Sequence, residues 1–107
     1  MENSESNLFV HHVFFWLKKP NDEAVRQQFE KGLEELVKIK EIKSSHLGVP
    51  ADTDRPVIDS TYQYSLLVLF DSKANHDIYQ DHPIHHKFIA ENSMYWEKVQ
   101  VYDSVDM

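Results

Sequence analysis

The sequence predicts a single α+β domain with a ferredoxin-like fold, an antiparallel sheet with its helices on one face. The predicted elements follow the order β-α-β-β-α-β along 107 residues, which is the order of that fold. The first and third strands also carry apolar side chains on both faces, whereas the helices cover only one. An exposed apolar face of that size is unfavourable in water, so we expect two chains to stack their sheets as a homodimer and form an α/β barrel between them.

The first strand is predicted over residues 8–17, which are rich in Phe, Val and Trp. Successive side chains of a strand point to opposite faces, and here neither face is polar. One face comprises Val10, His12, Phe14 and Trp16, and the other comprises Phe9, His11, Val13, Phe15 and Leu17.

The first helix is predicted to begin just after Pro20, where acidic residues in the first turn favour a helix N-terminus. Apolar residues then recur at helical spacing. Gly32 lies within this pattern at a cost of up to ~1 kcal/mol relative to Ala, so we expect it to permit a close approach of helix and sheet. The apolar stripe consists of Val25, Phe29, Leu33, Leu36 and Ile39.

The rest of the chain is predicted to form three strands and a second helical region. A short strand is predicted over residues 41–49 and a stronger one over 62–70, with a Pro- and Asp-rich loop between them. Ser72 is expected to cap a second helical region that is interrupted at Pro83. A closing strand is predicted over 96–102. On the 62–70 strand, one face consists of Tyr62, Tyr64, Leu66, Val68 and Phe70.

Composition limits the functional classes. Eleven basic and 18 acidic residues give a net charge of −7, with only two Arg, which argues against nucleic-acid binding. The absence of Cys excludes disulfides, thiolate metal sites and Cys nucleophiles. The domain is predicted over residues 8–104, after a polar tail over 1–7 that lacks the features of a signal peptide. With no apolar run of ~20 residues, we expect a cytoplasmic protein without membrane contact.

Three of the seven histidines, His82, His85 and His86, lie close together after the second helix begins. One hypothesis is that they bind a metal, since His82 and His85 could share a helix face. The alternative is that His82 caps a helical turn and His86 is solvated. Because no acidic or thiolate partner has diagnostic spacing, we expect no metal and no other cofactor.

His12 is a second candidate, because it lies on a strand face that is otherwise apolar. A buried imidazole needs a hydrogen-bond partner, which could be a backbone carbonyl in an ordinary core. If His12, Tyr62 and Tyr64 instead point into a cavity, they would supply the few polar groups of a small-molecule site.

Several segments resemble the stress-responsive α/β-barrel (Dabb) family. They are residues 12–18, the block 55–56 with 60–62, residues 66–72, and Tyr79-Gln80-Asp81-His82-Pro83-Ile84-His85 with Phe88 following. The resemblance covers Phe9 to Asp103. It implies a ferredoxin-like protomer and a homodimer with face-to-face sheets. The family includes plant stress proteins and polyketide cyclases, so fold alone does not select an activity.

In cyclase-like members, the resemblance places three residues in the pocket, which correspond here to His12, Tyr79 and His85. His85 would act as the proton-transfer base, Tyr79 would hold it or donate to an enolate, and His12 would bind a substrate oxygen. Tyr64 stands where some members have a further His.

Phe14 and Trp16 share the face of His12 and are expected to line the same pocket. The predicted function is a small-molecule-binding homodimer for a carbonyl-bearing or aromatic ligand, with cyclase-like acid–base chemistry. The alternatives are a non-catalytic stress or interaction protein, and a metal-binding protein.

Overall fold

The computed structural model describes residues 7–107, so residues 1–6 of the predicted tail lie outside the described part. Among the described residues, four strands form one antiparallel sheet, and three helices pack on one of its faces. A 3-10 turn, Ser93–Tyr95, precedes the last strand. The elements are β1 (Phe9–Leu17), α1 (Glu23–Leu36), β2 (Ser44–Gly48), β3 (Tyr64–Phe70), α2 (Lys73–Gln80), α3 (Pro83–Asn92) and β4 (Trp96–Val105).

The strand order across the sheet is β2-β3-β1-β4, with antiparallel pairing throughout, which confirms the predicted ferredoxin-like fold. The interruption of the second helical region is also confirmed, because Pro83 begins α3. Strand β4 extends to Val105 rather than 102, since its end pairs with the start of β1. The local sequence pattern of β4 contains no information about its pairing with β1, which is distant in the sequence.

The helix-facing side of the sheet carries the core. From β1 it receives Phe9, Val13, Phe15 and Leu17, all buried. The helix α1 contributes most of the predicted apolar stripe, and the last residue of that stripe, Ile39, is buried just beyond the end of the helix. The side chain of Asp22 accepts a hydrogen bond from the Val25 amide and caps α1, and Ser72 caps α2 in the same way. None of the helices among the described residues is long and apolar enough to cross a membrane.

The opposite side of the sheet, which we call the open face, is half-buried and mixed in chemistry. The β1 residues Val10, His12, Phe14 and Trp16 lie there, as expected from alternation. The strand pairing aligns one residue from each strand in a row across the open face, and no helix of the described chain packs on this row. The row consists of His46, Leu67, His12 and Tyr102.

Tyr62 corrects one prediction. It lies outside β3 and packs its ring against Phe14, at 4.9 Å between centroids, and against Trp16, at 6.2 Å. It therefore belongs to the open face rather than to the face of Tyr64. The alternation rule fails here because the regular strand begins only at Tyr64.

Gly32 permits a close approach, but between α1 and α3 rather than between helix and sheet. A Cβ at this position would meet the Asn92 side chain, 2.7 Å from Nδ2 and 3.1 Å from Cγ. Asn92 is fully buried and donates from Nδ2 to the Phe88 carbonyl at 3.1 Å, so it has little room to move. Tight packing between the two helices thus requires glycine at position 32, although glycine has a low helix propensity.

Gly32→Ala should lower the free energy of unfolding by about 1 kcal/mol, because overpacking outweighs the gain in helix propensity. Urea denaturation measures the change. The exposed α1 substitution Gln27→Ala is the matched control and should be neutral or slightly stabilising. In an Asn92→Ala background, Gly32→Ala should no longer destabilise; a cost that persists there would contradict the contact with Asn92.

Candidate functional site

A cavity of about 320 Å³ lies on the helix-facing side of the sheet, between β1, β4 and α3. Its wall is mostly apolar, with Phe15, Phe88 and Trp96 among the lining residues. Its polar lining groups are His11, Tyr79, Gln80 and His85. A largely apolar pocket with a few convergent polar groups has the general form of a small-molecule site. We call it the helix–sheet pocket.

A larger groove, of about 380 Å³, lies between α1 and α3. Lys31, Glu35, Lys87 and Glu91 line it, and these side chains are exposed. It contains no histidine or tyrosine. The smaller helix–sheet pocket is therefore the better candidate for chemistry.

His85 is positioned by the start of α3. His82 caps this helix by accepting a hydrogen bond at Nδ1 from the Ile84 amide, at 3.1 Å, and Pro83 occupies the first helical turn. The His85 ring then meets the edge of Tyr79, with centroids 4.9 Å apart. Burial, followed by the nearby His11, His86 and His76, lowers the pKa of His85 to about 4. At neutral pH the ring is uncharged and has a free lone pair.

Tyr79 is the fixed wall beside His85. It is only 1% exposed, and its ring packs against Phe70 with centroids 5.1 Å apart. Burial raises the pKa of Tyr79 well above its usual value, so the phenol keeps its proton. The pocket thus pairs a neutral imidazole with a protonated hydroxyl, which can donate a hydrogen bond.

His11 is the third polar group, and the sequence prediction missed it. The register of β1 and β4 places His11 directly opposite Asp103, and Nδ1 lies 2.6 Å from the Asp103 carboxylate. Because an ionised carboxylate can only accept, Nδ1–H is the donor. The centroids of the His11 and Tyr79 rings lie 5.9 Å apart. Burial lowers the pKa of His11, although Asp103 acts in the opposite direction.

His12 lies on the open face, so the prediction that it shares a pocket with Tyr79 and His85 is wrong. Its Nε2 is 3.5 Å from Ser65 Oγ, at the limit of a hydrogen bond, and its ring packs on Phe14 at 4.3 Å. Burial and the neighbouring His46 and His11 lower its pKa. Adjacent residues of a strand face opposite ways, so the neighbour His11 occupies the place expected for His12.

Phe14 and Trp16 are separated from the helix–sheet pocket for the same reason. The Trp16 indole donates to Thr61 Oγ1 at 2.8 Å, and Lys98 lies 4.5 Å above its ring. These two aromatic residues therefore contribute to the open face, with Tyr62.

Tyr64 lies on the helix-facing side but at a different cavity, of about 280 Å³, next to Glu30 and Leu47. Its hydroxyl donates to the Glu30 carboxylate, and the Arg26 guanidinium lies 4.8 Å from its ring centroid. Burial and the bond to Glu30 raise its pKa. Of the six predicted site residues, only His85 and Tyr79 line the helix–sheet pocket, and His11 joins them there.

The histidine-rich segment does not present three ligands to one point. His82 is engaged in capping α3, and exposed His86 bonds Asp81 at 3.2 Å. The rings of His85 and His86 are perpendicular, with centroids 6.4 Å apart. Capping by His82 and exposure of His86 agree with the non-metal interpretation of this segment.

The low pKa of His85 predicts a pH effect. Between pH 6.5 and about 4, residue 85 is protonated in the unfolded chain and neutral in the folded one, so the free energy of unfolding falls as pH drops through this window. Above pH 6.5 the ring is neutral in both states, and the contribution of His85 to the free energy of unfolding is fully present. In urea titrations of metal-free protein, the free energy of unfolding should therefore fall less steeply with decreasing pH for His85→Gln than for the wild type. Parallel curves, or an NMR midpoint for His85 near 6.5, would contradict the buried neutral ring.

Solved structures resemble the chain closely in fold. A Dabb family protein with a ferredoxin-like fold from Mesorhizobium loti is 23% identical, with a TM-score of 0.78, covering 94% of this chain and 98% of that one. A dimeric ferredoxin-like protein of unknown function from Thermobifida fusca is 19% identical, with a TM-score of 0.76 and coverage of 94% and 92%. The hydroxynitrile lyase of Passiflora edulis is 21% identical, with a TM-score of 0.76 and 95% coverage of both chains.

No match was found among curated protein sequences. The sequence profile of the stress responsive A/B barrel domain, however, matches residues 9–106, nearly the whole chain. The match confirms the resemblance carried by the first strand and by the Tyr79–His85 segment. The chain belongs to the stress-responsive A/B barrel (Dabb) family.

Proposed function

We propose that this protein is a homodimer that binds a small carbonyl-bearing or aromatic molecule in the helix–sheet pocket, where His85 transfers a proton. One observation carries the proposal: a histidine held neutral by burial lies against a protonated tyrosine in a mostly apolar cavity. Neutral imidazole at pH 7 is the form that accepts a proton.

The pocket supports binding of a molecule about the size of one substituted ring. Its volume of about 320 Å³ is at the lower end for ligand sites, and its walls include Phe15, Phe88 and Trp96. These aromatic surfaces favour a planar or aromatic ligand. The polar groups are concentrated at His11, Tyr79 and His85, which favours a ligand with a polar group at one end.

The chemistry follows from the protonation states. His85 takes a proton from a carbon next to a carbonyl, or from a hydroxyl. The Tyr79 hydroxyl donates a hydrogen bond to the oxygen on which negative charge develops. His11, fixed by Asp103, supplies a second polar contact at the floor of the pocket. The mostly apolar lining around these groups lowers the local dielectric constant and so strengthens the hydrogen bonds.

The lyase from Passiflora edulis supports this reaction class. In cleavage of a hydroxynitrile, a base removes the hydroxyl proton, the carbon–carbon bond to the nitrile breaks, and cyanide leaves as the carbonyl forms. Cyanide then recovers the proton as HCN. A base beside a hydrogen-bond donor serves this step as it serves enolate formation. At 21% identity the likeness itself concerns the fold, so the argument depends on the pocket.

The dimer is inferred from the open face. Val10, Phe14, Leu67 and Leu69 are only half-buried there, and the helices of the described chain pack on the other side. A second copy of the sheet is the partner that covers such a face symmetrically. Solved relatives described as dimeric ferredoxin-like proteins support this arrangement.

Sedimentation at micromolar concentration should give a mass near twice 12.7 kDa. Leu67→Glu places a charge at the centre of the open face and should shift the protein to monomer. Ile78→Glu, at an exposed apolar position on α2, is the matched control and should remain dimeric. A wild-type monomer that binds no hydrophobic dye, or a dimeric Leu67→Glu variant, would refute the stacked-sheet dimer.

Mandelonitrile and benzaldehyde are suitable probes, because each joins an aromatic ring to the oxygen function that the pocket favours. We expect them to perturb NMR signals of Tyr79, His85 and Trp96. Any turnover detected should fall by about 10² to 10⁴-fold in His85→Ala. The control is His86, which is exposed on the same helix as His85. His86→Ala should change the rate little. Both variants should keep the dimer mass.

Each outcome of this experiment decides between the functions. Binding with turnover that needs His85 supports acid–base catalysis. Binding without turnover, or turnover at the wild-type rate in His85→Ala, refutes the role of His85 as a base. If neither probe nor a broader set of small carbonyl compounds binds, the non-catalytic alternative, with the dimer as the functional unit, is the better account.

A further inference from the structure

We propose that His11, His76 and Asp103 form a binding site for a divalent transition metal of the Zn²⁺ type at the edge of the sheet. One nitrogen from each histidine and one Asp103 oxygen lie within 4.8 Å of one another. Among the residues that the structure describes, this is the one group of three or more such side chains that converges. It shares none of the three histidines of the 82–86 segment.

Three separate elements build the site. Register places His11 of β1 opposite Asp103 of β4, and α2 lays His76 over this pair, with the His76 and His11 ring centroids 5.0 Å apart. The His76 ring is held by stacking on Phe9, at 4.2 Å. Ligand atoms of a tetrahedral zinc lie about 3.3 Å apart, so small side-chain rotations close the group onto an ion.

His76 carries the observation that points to a ligand. It is 9% exposed, and its Nε2 is buried without a hydrogen-bond partner. A buried polar atom with no partner costs free energy and calls for an explanation. Its other nitrogen, Nδ1, lies 3.1 Å from the Asp77 carboxylate, which accepts a hydrogen bond from Nδ1–H. The lone pair is therefore on Nε2, the nitrogen that His76 can offer to a metal.

The Asp77–His76 pair has the form of a metal-ligand pair. Histidines that bind metals almost always donate their second nitrogen to a carboxylate or carbonyl, which fixes the tautomer and the ring orientation. The His11–Asp103 contact fits as well. The Nδ1–H of His11, which donates to the Asp103 carboxylate at 2.6 Å, occupies the space where a cation would be held by both. Binding of a cation at Nδ1 moves this proton to Nε2, which leaves the ring neutral.

The donor set selects the metal class. Two imidazole nitrogens and one carboxylate oxygen suit zinc and its neighbours, whereas Ca²⁺ and Mg²⁺ prefer oxygen ligands. Three protein ligands leave one tetrahedral position open. The Asp103 side chain is 41% exposed, which gives an ion a route from solvent. Because His11 also lines the helix–sheet pocket, the proposed metal site adjoins that pocket.

The test uses full-length protein without a polyhistidine tag, stripped with chelator and titrated with ZnCl₂ in a calorimeter. We expect one Zn²⁺ per chain, and bound Co²⁺ should give the visible absorption of a four-coordinate site. His76→Phe keeps the aromatic packing on Phe9 and removes the nitrogen. Asp103→Asn removes the charge at a partly exposed position. Each should weaken zinc binding by more than ~100-fold, and Asp77→Asn by ~10 to 100-fold.

His86→Ala is the control, because it removes an exposed histidine outside the group and should leave zinc affinity unchanged. Circular dichroism and dimer mass should match the wild type for every variant used. The proposal is overturned if the wild type takes up no zinc at equimolar concentration. It is also overturned if either His76→Phe or Asp103→Asn binds as tightly as the wild type, or if His86→Ala abolishes uptake. The outcome is independent of the role of His85, because none of these variants changes it.

Discussion

The central strand β1 is apolar on both faces, and the chain supplies helices for only one of them. The rest of the structure depends on this constraint. On the helix-facing side, Phe9, Val13, Phe15 and Leu17 are buried in the core, and the space left beside them becomes the helix–sheet pocket. On the open face, apolar side chains need a second sheet. One strand therefore connects the candidate site to the dimer, with adjacent residues His11 and His12 serving opposite sides.

Burial rather than charge sets the protonation states of the polar groups in the helix–sheet pocket. The protein is acidic overall, yet the largest influence on the pKa values of His11, Tyr79 and His85 is desolvation. Desolvation keeps each side chain in its neutral form at pH 7. Neutral groups in an apolar pocket bind uncharged ligands without a desolvation penalty for buried ions, and they remain able to exchange a proton. The Asp103 carboxylate lies at the rim, where solvent is available.

The sequence predicts the element order, the two-sided strands and the capping of α3 by His82, because each depends on local periodicity or on a few neighbouring residues. The resemblance to the family also places Tyr79 and His85 in one pocket, and in the structure they meet where α2 ends and α3 begins. It fails for His12, because a motif alignment that is shifted by one residue selects the opposite face of the strand. The alternation pattern contained the signal for His11, which shares its face with Phe9, Val13 and Phe15. No local pattern brings Asp103 or His76 to His11, since that contact depends on β1–β4 register and on the packing of α2.

A crystal structure of the protein with benzaldehyde bound would test the central claim that β1 separates a ligand pocket from a dimer interface. We expect ligand density in the helix–sheet pocket, with the aldehyde oxygen within hydrogen-bond distance of the Tyr79 hydroxyl. We also expect His12 to lie between two stacked sheets. Ligand density between the sheets beside His12, with the pocket at His85 empty, would contradict it.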